Sequence, residues 1–385
     1  MLTILCCARK NLMNTDQNIQ VALVGYGMAG RVFHAPLLAG VPGLRLHTVV
    51  SSKPEAVRAD WPDVTVVAAL EHALANPAID LVLIATGNES HYPLAKQALL
   101  AGKHVVVDKP CTVTLAQTDD LLDTARAQGK VLTVFQNRRW DADFLALRRV
   151  MESGELGRIV HFESHFDRYR PTVPDRWREQ DLPGSGLWFD LGAHLVDQCL
   201  QLFGAPDDLM VDLANQREGA SVNDYFHAQL RYPSAHPGLR VVLHAGALVP
   251  AVGPRFVVHG TRGSFVKYGL DVQEDALKAG GRPQWGATSD WGWDPLPANV
   301  TVHSATGAET RTEAANQGNY LAYYAHLHDH LRGYSRGQLP GHSLGGWGGV
   351  AATGIVSPAE VRRAMQLLTL GAQSAAEGRF VAVPR

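Results

Sequence analysis

Apolar residues are distributed in two ways along this chain, and the change of pattern divides it. In the first third they form short unbroken runs at 21–24, 44–50, 64–67, 81–85, 105–107 and 131–136. Such runs predict parallel strands buried on both faces. Between them fall amphipathic or capped stretches at 31–38, 70–76, 93–102 and 114–128, read as helices. Strands alternating with helices imply a doubly wound parallel sheet with right-handed crossovers. From residue 158 the period becomes two. Val160, Phe162, Ser164 and Phe166 share one face, and His161, Glu163, His165 and Asp167 share the other. Further strands are expected at 225–232 and 239–248, and as a pair at 255–259 and 264–268 around Gly260-Thr261-Arg262-Gly263. With no comparable helices between them, these predict an antiparallel sheet. The expected class is α/β. An N-terminal Rossmann fold over 19–137 is followed by a C-terminal α+β domain over 138–385, built on a large open, mainly antiparallel sheet.

The two ends add little to that frame. Residues 1–18 read as a disordered or spurious extension, because Met13 stands just ahead of a polar stretch and offers an alternative start. Residues 341–356 are rich in glycine and are expected to form a loop, after which Val361, Ala364, Met365, Leu368 and Ala372 mark one face of a last helix.

Composition excludes several function classes. The 385 residues carry 35 basic and 37 acidic side chains, so there is no electrostatic footprint for nucleic acid or an anionic membrane. No apolar run is long enough to span a bilayer. The four cysteines, Cys6, Cys7, Cys111 and Cys199, form no C-x-x-C pair. A reducing cytoplasm is therefore expected, with no structural zinc. His326 and His330 share a helical face, but nothing nearby completes a metal site, so these are expected to be surface histidines.

The chemistry begins at Gly25-Tyr26-Gly27-Met28-Ala29-Gly30, a G-x-G-x-x-G between a strand and a helix. Gly25 would make the tight turn, Gly27 would admit a pyrophosphate, and Gly30 would let the helix pack on the strand. The helix N-terminus would then face the phosphates. Where NAD-specific sites carry an acid at the end of the second strand, this chain has Ser51-Ser52-Lys53, with Arg58 a turn later. Hydroxyls and cations suit a 2′-phosphate, so NADP(H) is expected over NAD(H). Asp108-Lys109-Pro110 ends the fifth strand and points a lysine at the ligand crevice. Asp190, His194 and Asp197, at i, i+4 and i+7, share a helical face. They read either as a hydrogen-bonding cluster at a domain interface or as a histidine base oriented by a carboxylate.

Together the glycine loop, Asp108-Lys109-Pro110 and the Asp190-x-x-x-His194 helix resemble the glucose–fructose oxidoreductase/inositol dehydrogenase (Gfo/Idh/MocA) family. Phe33-His34-Ala35-Pro36, Asn137-Arg138-Arg139-Trp140-Asp141, the segment 162–168 and Arg176-Trp177-Arg178-Glu179 resemble its branch containing NADP-dependent scyllo-inositol dehydrogenases. Asp108 stands where that family usually has Glu. The resemblance implies catalysis by Lys109, Asp190 and His194, with Thr86, Asn88, His91 and Asp108 beside the cofactor. It also implies homodimers or homotetramers paired through the second sheet. The implied reaction interconverts a secondary alcohol and a ketone on a sugar or cyclitol. His194 would accept the proton, Lys109 would bind the oxygen, and Asp190 would orient the imidazole or the substrate, with Asp197 an alternative for orienting the imidazole. Asn137, Arg138, Arg168, Trp177 and Arg178 are the candidates for substrate contact. The alternatives are an NADP(H)-sensing regulator without turnover, or a reductase of imines or linear carbonyl compounds.

Overall fold

The computed structural model describes residues 18–286, 291–314, 317–333, 338–339, 342–343 and 355–384. The expectations for residues 1–17 and for most of 341–356 fall outside them. Six parallel strands form the first sheet: β1 (Ile19–Val24), β2 (Leu44–Val50), β3 (Thr65–Val67), β4 (Leu81–Ile84), β5 (His104–Val107) and β6 (Leu132–Val134). Their order, β3-β2-β1-β4-β5-β6, is that of the dinucleotide-binding fold, whose strand order reverses between β1 and β4. Every residue of β4 and β6 is buried, and β1 and β5 nearly so, as expected; β3, at the sheet edge, has no fully buried residue.

The intervening helices are α1 (Ala35–Ala39), α2 (Pro54–Asp60), α3 (Leu70–Leu74), α4 (Asn88–Leu100) and α5 (Leu115–Ala127). A wide π-helical turn, Ala29–His34, leads from the glycine loop into α1. Two boundaries differ from expectation. Helix α4 starts at Asn88 rather than at Pro93, which lies inside it. Gly87, extended at ψ 148°, acts as the N-cap, so a single internal N–H is lost to the proline. Between the two halves, Asn137–Trp140 form a buried 3₁₀ turn, and a helix not expected there, α6 (Ala142–Glu152), follows.

The second sheet has nine strands. Its members are β7 (Ile159–His165), β8 (Asp208–Ala214), β9 (Tyr225–Arg231), β10 (Arg240–Gly246), β11 (Phe256–Gly260), β12 (Gly263–Lys267), β13 (Ala298–Ser304), β14 (Gly307–Glu313) and β15 (Val381–Ala382). All pairs are antiparallel except β7 with β10. Phe162, Ser164 and Phe166 face the core, while His161, Glu163 and His165 are half-buried on the opposite face, as the alternation required.

Four further helices follow among the described residues: α7 (Ala193–Phe203), α8 (Gln273–Lys278), α9 (Leu321–Arg332) and α10 (Pro358–Glu377). Ser357 and Glu360 close a capping box at the start of α10, which then packs against α5, α7 and β8 and so ties both sheets together. On α9 the histidines differ from expectation. His326 and His328 are buried, and His326 stacks on Trp140 with ring centroids 5.8 Å apart; only His330 is exposed. The helix packs against α1 and the 137–140 turn, so a face that looks polar in sequence becomes interior. No described helix is long and apolar enough to cross a membrane.

Candidate active site

The glycines of the loop do three different jobs. Gly25 has φ +95°, a conformation that excludes most side chains. A Cβ at Gly30 would lie 2.1 Å from the Gly25 carbonyl oxygen, so only hydrogen fits where helix meets strand. A Cβ at Gly27 would meet nothing within 4 Å: that backbone is open on the side a pyrophosphate would approach. The loop thus fits a dinucleotide through shape rather than through a generic turn. Tyr26 and Arg31 are both engaged by Asp60, at 2.8 and 2.7 Å. Ser51, Ser52 and Lys53 leave the end of β2, where Ser51 Oγ accepts the Lys53 N–H at 3.0 Å; Lys53 and Arg58 are exposed.

Beyond the strand ends opens a small cleft, with about 100 Å³ of space for water. Its walls bring together Met28 and Ala29 from the loop, Asp108 and Lys109 from the end of β5, and Asn137 and Arg138 from the turn after β6. Arg168, Arg178, Asp190, His194 and Glu274 close it from the second half. Lysine and imidazole, 85 positions apart in the chain, therefore line one cavity.

Lys109 follows a strand end and precedes a cis peptide bond to Pro110. Its Nζ donates to the Asp190 carboxylate at 2.5 Å and to the Asp190 carbonyl at 2.7 Å. Asp190 sits in a π-helical turn, Trp188–Gly192, that opens α7. Trp188 anchors this turn by donating from its indole to the Leu368 carbonyl at 2.9 Å, while Asn223 Oδ1 accepts its backbone N–H at 2.9 Å. Arg178 reaches the same Asp190 oxygen at 3.3 Å. Burial raises the cost of the Asp190 charge, but Lys109 and Arg178 outweigh it and hold the carboxyl well below its usual range. Burial pulls the Lys109 ammonium below its ordinary value, assisted by Arg178 and opposed by Asp190.

His194, in the first turn of α7, is 6% exposed. Burial, followed by the positive charges of Lys109 and Arg138, keeps its pKa well below the ordinary histidine value, so the imidazole is neutral near pH 7. Its Nδ1 is buried with no hydrogen-bond partner among the described residues. Asp197 does not supply one. Arg139 grips both of its oxygens, at 2.8 and 2.6 Å, and extends to Glu360 at 2.9 Å. The shared face expected for Asp190, His194 and Asp197 is thus split: Asp190 joins the cleft and Asp197 joins a buried ion pair.

The remaining candidates separate in the same way. Asn88 donates to the Gly184 carbonyl at 2.7 Å, joining the nucleotide domain to the loop before the Asp190 turn. His91 is buried, with Nδ1 2.9 Å from the Pro110 carbonyl oxygen and Nε2 3.3 Å from that of Thr86; it braces the two strand-end loops from behind. Burial lowers its pKa. Thr86 Oγ1 pairs with Ser90 Oγ at 2.6 Å. Trp177 approaches Gly87 and lies under the Arg178 guanidinium, 5.1 Å from ring centroid to carbon. Arg138 is buried in ion pairs with Asp141 and Glu274. Arg168 lies over the Phe166 ring at 4.6 Å, and among the described residues no carboxylate comes within ion-pair distance of its guanidinium. Burial and the cations Arg170 and Arg138 push its pKa down to about 10, against the pull of Glu274.

Sequence reasoning missed Glu274 and the pair His34–Asp108. His34 Nε2 lies 3.8 Å from Asp108, too far for a hydrogen bond, while its Nδ1 is 2.6 Å from the Tyr324 hydroxyl. Burial raises the Asp108 pKa, but His34 and Lys109 outweigh it and bring it down to about 2. The Phe33-His34-Ala35-Pro36 motif was the available signal for His34. Glu274 carried none.

Comparison with known proteins agrees with this geometry. The family model described as the oxidoreductase family with an NAD-binding Rossmann fold matches residues 19–136, and that of the GFO/IDH/MocA C-terminal domain matches residues 144–266. The uncharacterized oxidoreductase YdgJ of Escherichia coli is 52% identical over 84% of this chain and 92% of its own length. The scyllo-inositol 2-dehydrogenase (NADP(+)) IolW of Bacillus subtilis is 39% identical over 82% of this chain and 86% of its own. The solved structure of YPO2259 from Yersinia pestis superimposes with a TM-score of 0.85 at 46% identity, covering 96% of this chain and 98% of that one. A parallel sheet with an open glycine loop, a cleft at its strand ends and matches over both halves lead to one assignment: the chain belongs to the GFO/IDH/MocA family and is an NAD(P)-dependent dehydrogenase.

Proposed function

We propose that the protein interconverts a secondary alcohol and a ketone on a cyclitol or sugar, with NADP(H) as the preferred cofactor. The observation that carries this reading is the convergence of Lys109, held by Asp190, and the incompletely bonded imidazole of His194 on one cleft beside the glycine loop. Gly25, Gly27 and Gly30 would hold the pyrophosphate, and Lys53 and Arg58 the 2′-phosphate. The cofactor, when bound, would supply the hydride chemistry at the alcohol carbon. His194, kept neutral by burial and neighbouring cations, takes the hydroxyl proton as that carbon is oxidised and returns it in reduction. Lys109 donates a hydrogen bond to the same oxygen and stabilises the charge developing on it. Asp190 keeps the ammonium charged and aimed. Arg168, stacked on Phe166 without an ion-pair partner among the described residues, would donate to substrate oxygens, as would the amide of Asn137.

A polyhydroxylated ring suits walls built from so many donors, and the IolW similarity supports a cyclitol. The experiment is a screen of inositols, aldoses and keto-sugars with NADP⁺, NAD⁺ and the reduced forms, followed by nicotinamide absorbance. Turnover of a cyclic polyol with NADP⁺ is expected. Lys53→Ala should raise the KM for NADP⁺ roughly tenfold, the worth of one charge-assisted hydrogen bond, and leave that for NAD⁺ unchanged. Tight NADP(H) binding without turnover of any alcohol, ketone or imine would favour a sensor of the same fold. Turnover confined to imines or linear carbonyl compounds would replace the substrate class.

A further inference from the structure

On the open face of the second sheet, away from the residues assigned to catalysis, three potential ligands from two strands meet. His165 ends β7, Asp167 lies just beyond it, and His244 is the residue of β10 paired directly with His165. One donor atom from each lies within 4.8 Å of the other two. His165 Nδ1 is 3.5 Å from one Asp167 oxygen, and His244 Nε2 is 3.3 Å from the other. Both separations exceed the 2.7–2.9 Å of a charge-assisted hydrogen bond. Each imidazole faces its own oxygen of the shared carboxylate, and the three donor groups lie close enough for one ion to gather them. We infer that His165, Asp167 and His244 form a binding site for a divalent transition-metal ion of the zinc class.

The surroundings fit that assignment. Two imidazoles and a carboxylate are a donor set for zinc or its late first-row neighbours rather than for calcium or magnesium. His165 turns its other nitrogen, Nε2, to Glu163 at 2.9 Å, the carboxylate–histidine arrangement that fixes the tautomer of a metal ligand. Glu163 is in turn held by His161 at 2.7 Å. The Gly246 N–H donates to Asp167 Oδ1 at 3.0 Å and fixes the carboxylate between the rings. The His165 and His244 side chains are 24% and 16% exposed in the single chain. The ion would staple β7 to β10, with Asp167 one residue before Arg168. The sequence suggested no metal because its only visible pair lay on α9. Here the second histidine comes from a distant strand, and only the sheet register unites the three.

Full-length protein stripped with a chelator and titrated with Co²⁺ tests the assignment without reference to turnover. Wild type should take up one equivalent with the intense visible absorption of a four-coordinate ion, and Zn²⁺ should displace it. His165→Gln and His244→Gln should each weaken uptake by at least about 100-fold, and Glu163→Gln by about 10-fold, with metal-free circular dichroism unchanged. Absence of stoichiometric uptake, or uptake retained in both histidine variants, would overturn the site. Should a variant misfold, anomalous scattering at the zinc edge from wild-type crystals decides: an ion between His165 and His244 supports the site, and zinc bound only elsewhere refutes it.

Discussion

Asp190→Asn removes one charge from the cleft and leaves the shape of the side chain almost unchanged, which makes it the sharpest probe of the Lys109–His194 mechanism. At 2.5 Å and an effective dielectric of about 20, the bare Lys109–Asp190 attraction is about 7 kcal/mol. Asp190 is 24% exposed, and cutting one partner from a buried pair costs about 3–5 kcal/mol in practice. Taking the lower part of that range, kcat/KM for alcohol oxidation should fall about 10²- to 10³-fold. The loss must also depend on pH, and its sign is fixed. Burial and Arg178 already draw the Lys109 pKa down, and Asp190 opposes them. Without that carboxylate the ammonium gives up its proton at lower pH, and a neutral lysine is a far weaker donor to the developing oxyanion. Activity of the variant should therefore be least impaired on the acid side and fall away as pH rises. The assay is steady-state kcat/KM from about pH 6 to about pH 9 in wild type and variant, with NADPH affinity measured by fluorescence as a control. A variant within threefold of wild type throughout, or one whose loss is flat across that range, would refute the role given to the pair.

Other outcomes follow from single observations. His194→Ala should lower kcat by about 10²- to 10⁴-fold and leave cofactor affinity intact, and near-native turnover would remove histidine from the mechanism. Because His194 is held well below the ordinary histidine value, the acid limb of wild-type oxidation should lie below about pH 6.5; a limb above it would contradict the neutral imidazole. Gly27→Ala should melt like wild type without cofactor but raise the cofactor KM about tenfold, whereas Gly30→Ala, 2.1 Å from a carbonyl oxygen, should lose about 1–3 kcal/mol of stability. Equal melting of the two variants would show that the loop's packing is misread. Asp197→Asn should destabilise the fold by about 3 kcal/mol while leaving the pH–rate profile unmoved; a displaced profile would return Asp197 to the site.

What the sequence could and could not reveal divides along a physical line. Strands buried on both faces announce themselves as continuous apolar runs, so β1, β2, β4 and β5 were legible to within a residue or two. The placement of Lys109 followed, because a residue just after a parallel strand lies at the ligand end of the sheet by construction. Asp190 and His194 were legible as a pair through helical spacing. Which of several acids served which cation was not. Asp197 shares a helix with His194, yet Arg139, brought in by the turn after β6, takes its carboxylate, and Glu360 arrives from α10. Ion-pair partners are chosen in three dimensions, and periodicity carries no record of them.

The same limit explains the histidines, and it links the two halves of the molecule. Those on α9 look like a polar stripe because helical spacing places His326 and His330 together. Packing against Trp140 nevertheless buries His326, and the face becomes interior. On β7 the alternation correctly sends His161, Glu163 and His165 to the open face, but a strand read alone cannot tell which residue stands opposite. The opposite residue of β10 is His244, and that parallel pairing is the one place where the second sheet departs from antiparallel order. A parallel neighbour requires a long crossover, and here it carries the chain from β7 through the Asp190 turn, α7, β8 and β9 before β10 returns. The connection that delivers Asp190 and His194 to the cleft is thus the one that sets His244 beside His165. The composition of the cleft wall and that of the open face are consequences of one topological choice.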